Sequence, residues 1–449
     1  MTFLGDLCFK IGSGATPKGG KDSYRGGGYA LIRSQNVQDW EFTKSGLAYI
    51  NDEQASKLDA VQVESGDVLL NITGDSVTRA CIVPADIRKA RVNQHVCIVR
   101  PDGERLDNVY LLMFLESIKR RLLQIASSGA TRNALTKASI EALDLRLPTI
   151  EEQRRIAAPI RNISAQIDNL TQINGHLLEL TSAKYVELSK NQKNCNLNDI
   201  CEFVNDKTAI ENAVLETYVS TESLIADKRG RQIASKLPTS GKVTVYHPGD
   251  ILISNIRPYF KKIWFADCMG TCSNDVLAFR AKSDDMASLL YFTLYSDAFF
   301  EYTVAGSKGT KMPRGDKKQI MSYRIPAIDD VVKAFSSEAN RVLNLISTNR
   351  REIATLEQLR GTLLPKLMSG EIGVSKVELP TPPEQAQTST NGRLTKILEL
   401  AMILIYVAVS DNKAFRCLVW VSGSGGGGAG RVVWGYGYHV VVHRRPATA

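Results

Sequence analysis

The side chains best suited to chemistry in this chain are basic and amide groups in loops. Arginine forms paired hydrogen bonds with guanine, and asparagine or glutamine does so with adenine. Lysines and backbone amides on glycine turns suit phosphates. In the first half of the chain the candidates for nucleic-acid contact are Lys18, Lys21, Arg33, Ser34, Gln35, Asn36, Thr73, Asp75, Arg79, Arg132 and Asn133. In the second half they are Lys228, Arg229, Arg231, Asn255, Arg257, Tyr259, Lys261, Lys308, Lys311 and Arg314.

For any one of these residues, a solvated surface charge is an equally good interpretation. The case for nucleic acid depends on their arrangement, since both halves of the chain place such loops at corresponding positions. The loops follow a Gly-Asp strand and precede a terminal proline.

Signatures of enzymatic chemistry are missing from the sequence. Residues 14–21 (GATPKGGK) resemble a phosphate loop, but the glycine spacing is off by one and Asp22 replaces the required hydroxyl residue. No glycine-rich turn has the acidic partner that a methyl donor or dinucleotide needs. Cys268 and Cys272 have no second pair with which to build a zinc site. We therefore expect no catalytic, cofactor-binding or metal-binding residues.

The framework around these loops occurs twice, at an offset of about 180 to 190 residues, far above the period of a solenoid repeat. The matching segments are residues 4–8 and 197–201, 66–70 and 249–253, 93–100 and 273–280, and 145–148 and 323–326. Short apolar runs between glycine-rich loops predict strands in each copy. The repeat predicts two similar α/β (α+β) domains with pseudo-two-fold symmetry, whereas the loops that carry the candidate residues hardly match.

A long helical pattern follows each copy. In the first helix, Thr149 and Glu152 form a capping box, and Pro159 should kink the helix near its start. Apolar steps of three and four predict a coiled-coil seam at Ile156, Ile160, Ile163, Ile167, Leu170, Ile173, Leu177 and Leu180. In the second helix the seam is Phe335, Ala339, Val342, Ile346, Asn349, Ile353, Leu356, Leu359 and Leu363. Asn349 is a polar residue of the kind that fixes register.

Two helices of matched length are expected to pair antiparallel, each burying the stripe that the other exposes. The alternative is that each helix packs on its own domain. The boundaries that follow are residues 1–148 for the first domain, 149–192 for its helix, 193–328 for the second domain and 329–373 for its helix. Residues 374–449 are a tail, disordered or aberrant, with no assigned role.

Composition narrows the class of protein. A chain of 449 residues, 43% hydrophobic and 23% charged, can bury two substantial cores. A net charge of +9 mildly favours a polyanionic partner. Eight cysteines and no secretory leader indicate reduced thiols in the cytoplasm. The apolar stretch at residues 397–409 is too short for a membrane span, which needs about 20 residues.

The order of the motifs resembles the specificity (S) subunit of type I restriction-modification systems. The motifs are residues 4–6 (LGD), 32–37 (IRSQNV), 66–74 (GDVLLNITG), 147–148 (LP) with 151–156 (EEQRRI), and 363–372 (LLPKLMSGEI). Each one is weak alone, but their order and duplication are specific. The resemblance covers residues 1 to about 373. Pro159, the tail, and Asp329 with Asp330 in place of the Glu-Glu-Gln helix start depart from the family pattern.

The resemblance implies two target-recognition domains, each reading one half of a bipartite DNA site, held apart by the paired helices. It implies that the helices dock methyltransferase (M) subunits, which bind S-adenosylmethionine and methylate adenine. Restriction (R) subunits, with ATP- and Mg-dependent translocation and nuclease activity, join through that assembly. The chain itself would be a non-catalytic subunit without a cofactor.

Two other interpretations stay open. The chain could be a coiled-coil scaffold for protein interactions, without specific DNA readout. A self-sufficient methyltransferase is disfavoured by the missing motifs. Specific DNA binding that survives at a salt concentration where phosphate contacts are lost would separate the first two interpretations.

Overall fold

The computed structural model describes residues 2–17, 24, 26–127, 134–190, 195–375 and 377. Four candidate residues, Lys18, Lys21, Arg132 and Asn133, lie outside this part of the chain, and so does nearly all of the tail from residue 374. Within the described ranges, no helix is both long and apolar enough to cross a membrane.

The first half folds around an antiparallel main sheet, a smaller mixed sheet and several helices. Its strands are β1 (Thr2–Phe3), β2 (Cys8–Ser13), β3 (Tyr29–Ile32), β4 (Ala48–Ile50), β5 (Val68–Asn71), β6 (Ala80–Ile82), β7 (Ala90–Val92), β8 (Val96–Pro101) and β9 (Asp144–Leu145). Its helices are α1 (Asp52–Ser56), α2 (Asn108–Ser117), α3 (Lys119–Ser127), α4 (Lys137–Glu141) and the long α5 (Ile150–Leu188). The main sheet has the order β2-β8-β5-β6, a second sheet has the order β4-β3-β7, and β1 pairs with β9.

The second half repeats this plan. Its strands are β10 (Cys195–Asn196), β11 (Cys201–Phe203), β12 (Lys207–Ala209), β13 (Tyr218–Val219), β14 (Lys242–Tyr246), β15 (Ile251–Ser254), β16 (Ile263–Phe265), β17 (Gly270–Cys272), β18 (Val276–Ala281) and β19 (Arg324–Ile325). Its helices are α6 (Leu197–Ile200), α7 (Ala287–Tyr295), α8 (Asp297–Ala305), α9 (Lys317–Met321) and the long α10 (Asp330–Ser369). The sheets have the orders β11-β18-β15-β16 and β12-β14-β17-β13, and β10 pairs with β19. The expected mixed α/β fold is confirmed.

The central strand of each half is apolar on both faces because both faces are covered. In β5, Val68 and Leu70 join the core beneath α2, whereas Leu69 joins the core around the second sheet. In β15, Ile251 and Leu252 divide in the same way between two cores. The period of two along a strand thus explains why the Gly-Asp motif is followed by a continuous apolar run.

The Gly-Asp motif itself builds a turn that is tied to a neighbouring strand. Gly66 has a positive φ of 86°, which glycine adopts without steric cost. The buried Asp67 carboxylate accepts a hydrogen bond from the Glu64 amide at 2.7 Å. It also accepts two hydrogen bonds from Arg100 on β8, at 2.7 and 2.9 Å. The turn is therefore locked to the sheet by a bidentate ion pair.

The second half contains the same device. Gly249 has a φ of 91°, and the buried Asp250 accepts from the His247 amide at 2.8 Å. Arg280 on β18 donates to both Asp250 oxygens, at 2.9 and 2.7 Å. The repeated sequence therefore encodes a repeated structural lock.

The two long helices lie against each other in opposite directions. Lys184 pairs with Glu338 near one end of the contact, and Arg360 donates to Ser164 at 3.3 Å near the other. Residue numbers thus rise along α5 as they fall along α10, which defines an antiparallel pair. α5 continues as one helix through Pro159, so the proline does not end it.

The contact between these helices contains a buried polar pair. Asn349 Nδ2 donates to Asn174 Oδ1 at 2.8 Å, and both side chains are buried. In this part of α5, Asn174 and Thr181 are buried, while Leu180, next to Thr181, is 55% exposed. Amide groups in an apolar seam satisfy each other only when they face each other, so this pair favours one register.

The predicted interface residues are buried to different degrees. Ile156, Ile163, Ile346 and Asn349 are buried, and Ile167, Leu170, Leu177, Val342, Ile353, Leu356 and Leu363 are half-buried. Leu343, next to Val342, is the buried residue of that turn, while Leu359 is exposed. A seam made by two helices alone leaves its edges open to water, which explains the half-buried positions.

Each end of the helix pair also completes the core of one domain. Ile156 and Ile160 of α5 share the first core with Leu367 of α10, and Leu363 packs against it. At the other end, Tyr185 of α5 joins the second core together with the start of α10. Pairing of the helices and packing on the domains, treated as alternatives from the sequence, therefore occur together.

Replacing Asn349 by alanine is expected to lower the free energy of unfolding by about 1–3 kcal/mol, because the Asn174 amide would stay buried without its partner. The double change Asn174→Leu with Asn349→Leu should recover most of that loss, since neither polar group remains. Thermal unfolding of the wild type, the two variants and a control measures these changes in the free energy of unfolding. Asn344→Ala, an exposed change on the same helix, is the control. Equal losses from Asn349→Ala and the double change would contradict the pairing.

Candidate nucleic-acid interface

An open pocket of about 640 Å³ lies where β5 of the first domain ends. Its lining residues are Ser34, Gln35, Thr73, Gly74, Asp75, Ser76, Arg79, His95 and Ala134. Five of the sequence candidates, Ser34, Gln35, Thr73, Asp75 and Arg79, therefore come together, although the chain separates them by up to 45 residues. The lining offers hydroxyl, amide, imidazole and guanidinium groups, which are the groups that recognise base edges and phosphates.

Two further candidates hold the loop that carries Ser34 and Gln35. The Asn36 amide is fully buried and donates to the carbonyls of Thr43 and Ser45 at 3.0 and 3.2 Å. Arg33 donates to the Gly46 carbonyl at 2.6 Å. These side chains shape the backbone instead of lying free at the surface.

Asn71, at the end of β5, is a positioning residue that the sequence candidates did not include. It is fully buried, and its Nδ2 donates to the carbonyls of Ser34 and Val37 at 2.9 and 3.2 Å. It thus fixes the pocket loop to the sheet. The available signal was an amide in a buried strand, where an unpaired polar group is expensive.

Hydrogen bonds set the orientation of the groups inside the pocket. Thr73 Oγ1 and His95 Nδ1 lie 2.5 Å apart, and Gln94 approaches the other ring nitrogen at 3.0 Å. Arg79 donates to Gln38 Oε1 at 2.6 Å and stays half-buried. A held arginine loses less side-chain freedom when it binds a ligand.

The second domain has a corresponding place with different side chains. Thr73 bridges to Ala134 in the first domain, and Ile256 bridges to Arg314 in the second. In each domain, the backbone amide that directly follows the central strand (β5 or β15) donates to the carbonyl of the residue that directly precedes the neighbouring strand (β8 or β18). These carbonyls belong to His95 and Asp275, so the two residues occupy corresponding positions. There Asp275 accepts from Arg314 at 2.9 Å. The backbone repeats, but His95, which pairs with Thr73, is replaced by Asp275, which pairs with Arg314 from the position of Ala134.

Most candidates of the second domain gather on three loops that are hydrogen-bonded to one another. Asn255, Arg257, Tyr259 and Lys261 lie between β15 and β16, Lys228 and Arg229 lie on a neighbouring loop, and Lys308, Lys311 and Arg314 lie on a third. The Arg257 amide donates to the Pro313 carbonyl at 2.8 Å, and the Lys228 amide donates to the Lys261 carbonyl at 2.9 Å.

Several of these cations already have partners. Lys228 and Lys261 share the Asp297 carboxylate at 2.8 and 2.6 Å, and their hydrogen bonds hold the pKa of Asp297 below its usual range. Arg231 turns away from the loops and stacks on Trp264, 4.6 Å from the ring centre. Arg229 and Lys311 are exposed. The structure thus separates Arg231 from the group and keeps the others together.

The first pocket is connected to the long helix α10 through Trp40. The Arg360 guanidinium lies 4.8 Å from the centre of the Trp40 ring. The Trp40 amide donates to the carbonyl of Ala80, and Gln38, two residues before Trp40, holds Arg79. Trp40 has a left-handed φ of 68°, which is strained for a bulky residue. The helix pair therefore contacts the loop that supports a pocket arginine.

A buried glutamate near this contact makes stability depend on pH. Burial raises the pKa of Glu116 from 4.5 to about 7, despite the nearby Lys119 at 3.3 Å. Between these pH values the folded chain holds more protons at this site than the unfolded chain. Stability should therefore fall as pH rises from 4.5 to 7.

We expect Glu116→Gln to be more stable than the wild type at pH 8 by about 2 kcal/mol, with little or no advantage at pH 4.5. Thermal unfolding of both proteins at the two pH values checks this. Glu301→Gln, at an exposed position, is the control. An equal difference at both pH values would show that the charge of Glu116 is not the cause.

Within the described ranges, the cysteines and the candidate metal ligands do not form a further reactive site. Cys8, Cys81, Cys97, Cys195, Cys201, Cys268 and Cys272 are free thiols. Burial raises the pKa of Cys8, Cys97, Cys201 and Cys272 to about 12, so these thiols stay protonated near neutral pH. Among the described residues, no group of three or more histidine, cysteine, aspartate or glutamate side chains is placed to hold a metal ion.

The known proteins to which this chain is similar in sequence are all of one kind. Residues 1–179 match the family model of the type I restriction modification DNA specificity domain. The putative type I restriction enzyme MjaX specificity subunit of Methanocaldococcus jannaschii is 22% identical over 410 residues, covering 83% of this chain and 93% of that protein. The EcoBI specificity subunit of Escherichia coli is 26% identical over 165 residues, covering 36% of this chain and 34% of that protein.

Solved structures give the same kind of neighbour. The S subunit of a type I restriction-modification system from M. genitalium has a TM-score of 0.45 at 13% identity, covering 81% of this chain and 94% of that one. The HsdS subunit from Thermoanaerobacter tengcongensis has a TM-score of 0.33 at 16% identity, covering 83% and 96%. The family match shows that residues 1–179 are similar to the type I restriction modification DNA specificity domain, and the relatives that the chain resembles along its length are specificity subunits.

Proposed function

We propose that this chain reads a bipartite DNA sequence, one half with each domain, and holds the two halves at a fixed separation through α5 and α10. The observation that carries the proposal is the unlike chemistry at matching places of a repeated framework. His95, paired with Thr73, stands in one domain where Asp275, paired with Arg314 from a different loop, stands in the other. Two different donor and acceptor patterns suit two different half-sites.

We further propose that the paired helices dock methyltransferase subunits, which bind S-adenosylmethionine and methylate adenine. Restriction subunits using ATP and Mg would join through them. In this division of labour the chain supplies recognition and carries no cofactor. The net charge of +9 supports association with the DNA backbone, which is the part of binding that salt weakens.

A domain exchange tests the proposal. Residues 1–147 are replaced by the corresponding domain of another specificity subunit, and the methylated sites are mapped in cells that carry the chimera and its methyltransferase. We expect one half-site to change while the other half and the methylated base type stay the same. The wild-type chain and the reciprocal exchange of the second domain are the controls. Loss of both half-sites would contradict independent reading by two domains.

A salt titration separates this function from a protein-interaction scaffold. Binding to the mapped site should exceed binding to a scrambled duplex at every salt concentration, whereas both should lose their phosphate contacts in parallel. A scaffold without sequence readout would bind the two duplexes equally.

A further inference from the structure

We propose that Tyr259 and Phe260 form an aromatic wedge that enters between base pairs of the bound duplex and unstacks them, in the second domain only. This inference rests on the proposed function and adds a mode of contact to it. The two residues are 49% and 39% exposed, and their ring centres lie 4.8 Å apart. Each of the other aromatic ring pairs within the described ranges has at least one member that is not exposed.

The backbone presents the pair rigidly. Residues Pro258–Phe260 form a single helical turn, and the residues on either side, Arg257 and Lys261, have left-handed φ values of 51° and 49°. Neither flanking residue is a glycine, so the conformation is held against a steric cost. Strain of this kind persists where the surroundings over-determine it, and it concentrates at functional sites.

Neighbouring loops supply that restraint. The Phe260 carbonyl accepts from the Asp227 amide at 2.9 Å, and the Lys261 carbonyl accepts from the Lys228 amide at 2.9 Å. Asp227 and Lys228 are themselves left-handed, with φ of 58° and 61°. Such a tip keeps two apolar rings in water, where they lose the benefit of burial. A bound partner with apolar faces would cover the two rings and remove the cost of their exposure. Because the loop is already held in place, little further ordering of the loop would oppose binding.

The charge around the tip identifies the occupant as nucleic acid. The two loops carry Lys228, Arg229, Arg257, Lys261 and Lys262, against the carboxylates of Asp227 and Asp297. Cations close to an apolar tip match the phosphates close to a base step. Apolar side chains inserted between base pairs unstack and kink the duplex in proteins that bend DNA.

The first domain lacks the wedge. Its corresponding loop follows β5 and has the sequence ITGDSVTR at residues 72–79, without an aromatic residue. Its pocket is lined instead by polar groups such as Thr73 and Arg79. The structure therefore assigns the distortion to one side of the target, so the duplex should be unstacked asymmetrically.

Permanganate oxidation, which attacks thymines that have lost their stacking, tests this. The full chain with its methyltransferase partner selects its site from a random duplex pool. Thymines are then placed at each position, in and beside the gap, where the selected site has no base preference. Thymines that pair with the methylated adenine are excluded from the comparison. We expect one step on one side of the gap to react several-fold faster when the complex binds.

The double variant Tyr259→Ala with Phe260→Ala should lose that reactivity and bind the site between about 5-fold and 100-fold more weakly, in line with the loss of aromatic–base stacking. Phe9→Ala, which removes an aromatic side chain that is 75% exposed on β2, is the matched control and should change neither result. Thermal unfolding of both variants should match the wild type, since exposed rings are removed.

Specific binding without a reactive step, or reactivity that persists in the double variant, would overturn the wedge and leave the proposed function intact. Loss of association with the methyltransferase, with unchanged DNA binding, would also overturn it and assign the tip to a protein partner. Selection of no sequence at all would remove the proposed function, and the wedge would fall with it.

Discussion

Lengthening both long helices by one heptad is expected to widen the gap between the two half-sites by about three base pairs. Seven residues add about 10 Å to a helix, and one base pair rises 3.4 Å along the duplex. The insertions belong between residues 170 and 171 of α5 and between residues 352 and 353 of α10. These points face each other, as the Asn174–Asn349 hydrogen bond defines the register.

Selection from duplex libraries with different gaps measures the effect. A heptad inserted in α5 alone is the control, because it displaces one seam against the other and separates Asn174 from Asn349. That variant should lose stability and select no defined gap. If the matched insertion left the preferred gap unchanged, the helices would not set the separation.

Replacing Asp67 by alanine is expected to destabilise the first domain by about 3 kcal/mol or more, because breaking a buried ion pair leaves its partner uncompensated. The Asp67 carboxylate is 1% exposed and receives two hydrogen bonds from Arg100 and one from the Glu64 amide. The variant loses all three. Arg100 keeps its contact with Glu64, which limits the loss.

Hydrogen exchange resolved by peptide measures this change domain by domain. Protection should fall in β5 and β8 while β15 and β18 stay as in the wild type. Asp250→Ala is the mirror experiment and should affect only the second domain. Asp86→Ala, which removes an exposed ion pair with Lys44, should leave both domains nearly unchanged. A uniform loss of protection after Asp67→Ala would show that the domains unfold as one unit.

The architecture could be predicted from the sequence because the spacing of apolar residues and the duplicated segments can be read directly from the chain. The buried seam was less accessible, since a search for apolar residues passes over an amide such as Asn174. Its partner Asn349 is an exception in the apolar pattern, but the pairing depends on two helices far apart in sequence. The turns at Asp67 and Asp250 were visible as repeated strings, whereas their arginines lie on other strands.

The candidate contacts were predictable as a group more than one by one. Residue type placed Arg33 and Asn36 among the base-reading candidates, but both donate to backbone carbonyls of residues 43–46. Only the folded chain brings those carbonyls beside them. The role of Asn71 is not predictable in this way, because a polar residue inside a strand gives no sign of which loop it will hold.

The packing of Leu367 in the first core has a consequence for synthesis. The first domain leaves the ribosome early, but part of its core lies on the last turns of α10, 222 residues after Leu145 of the same core. At about 5–20 residues per second, that domain waits on the order of 10 to 40 s for its final element. Its apolar surface near Ile156 and Ile160 stays uncovered in the meantime, so the domain made first is the one finished last.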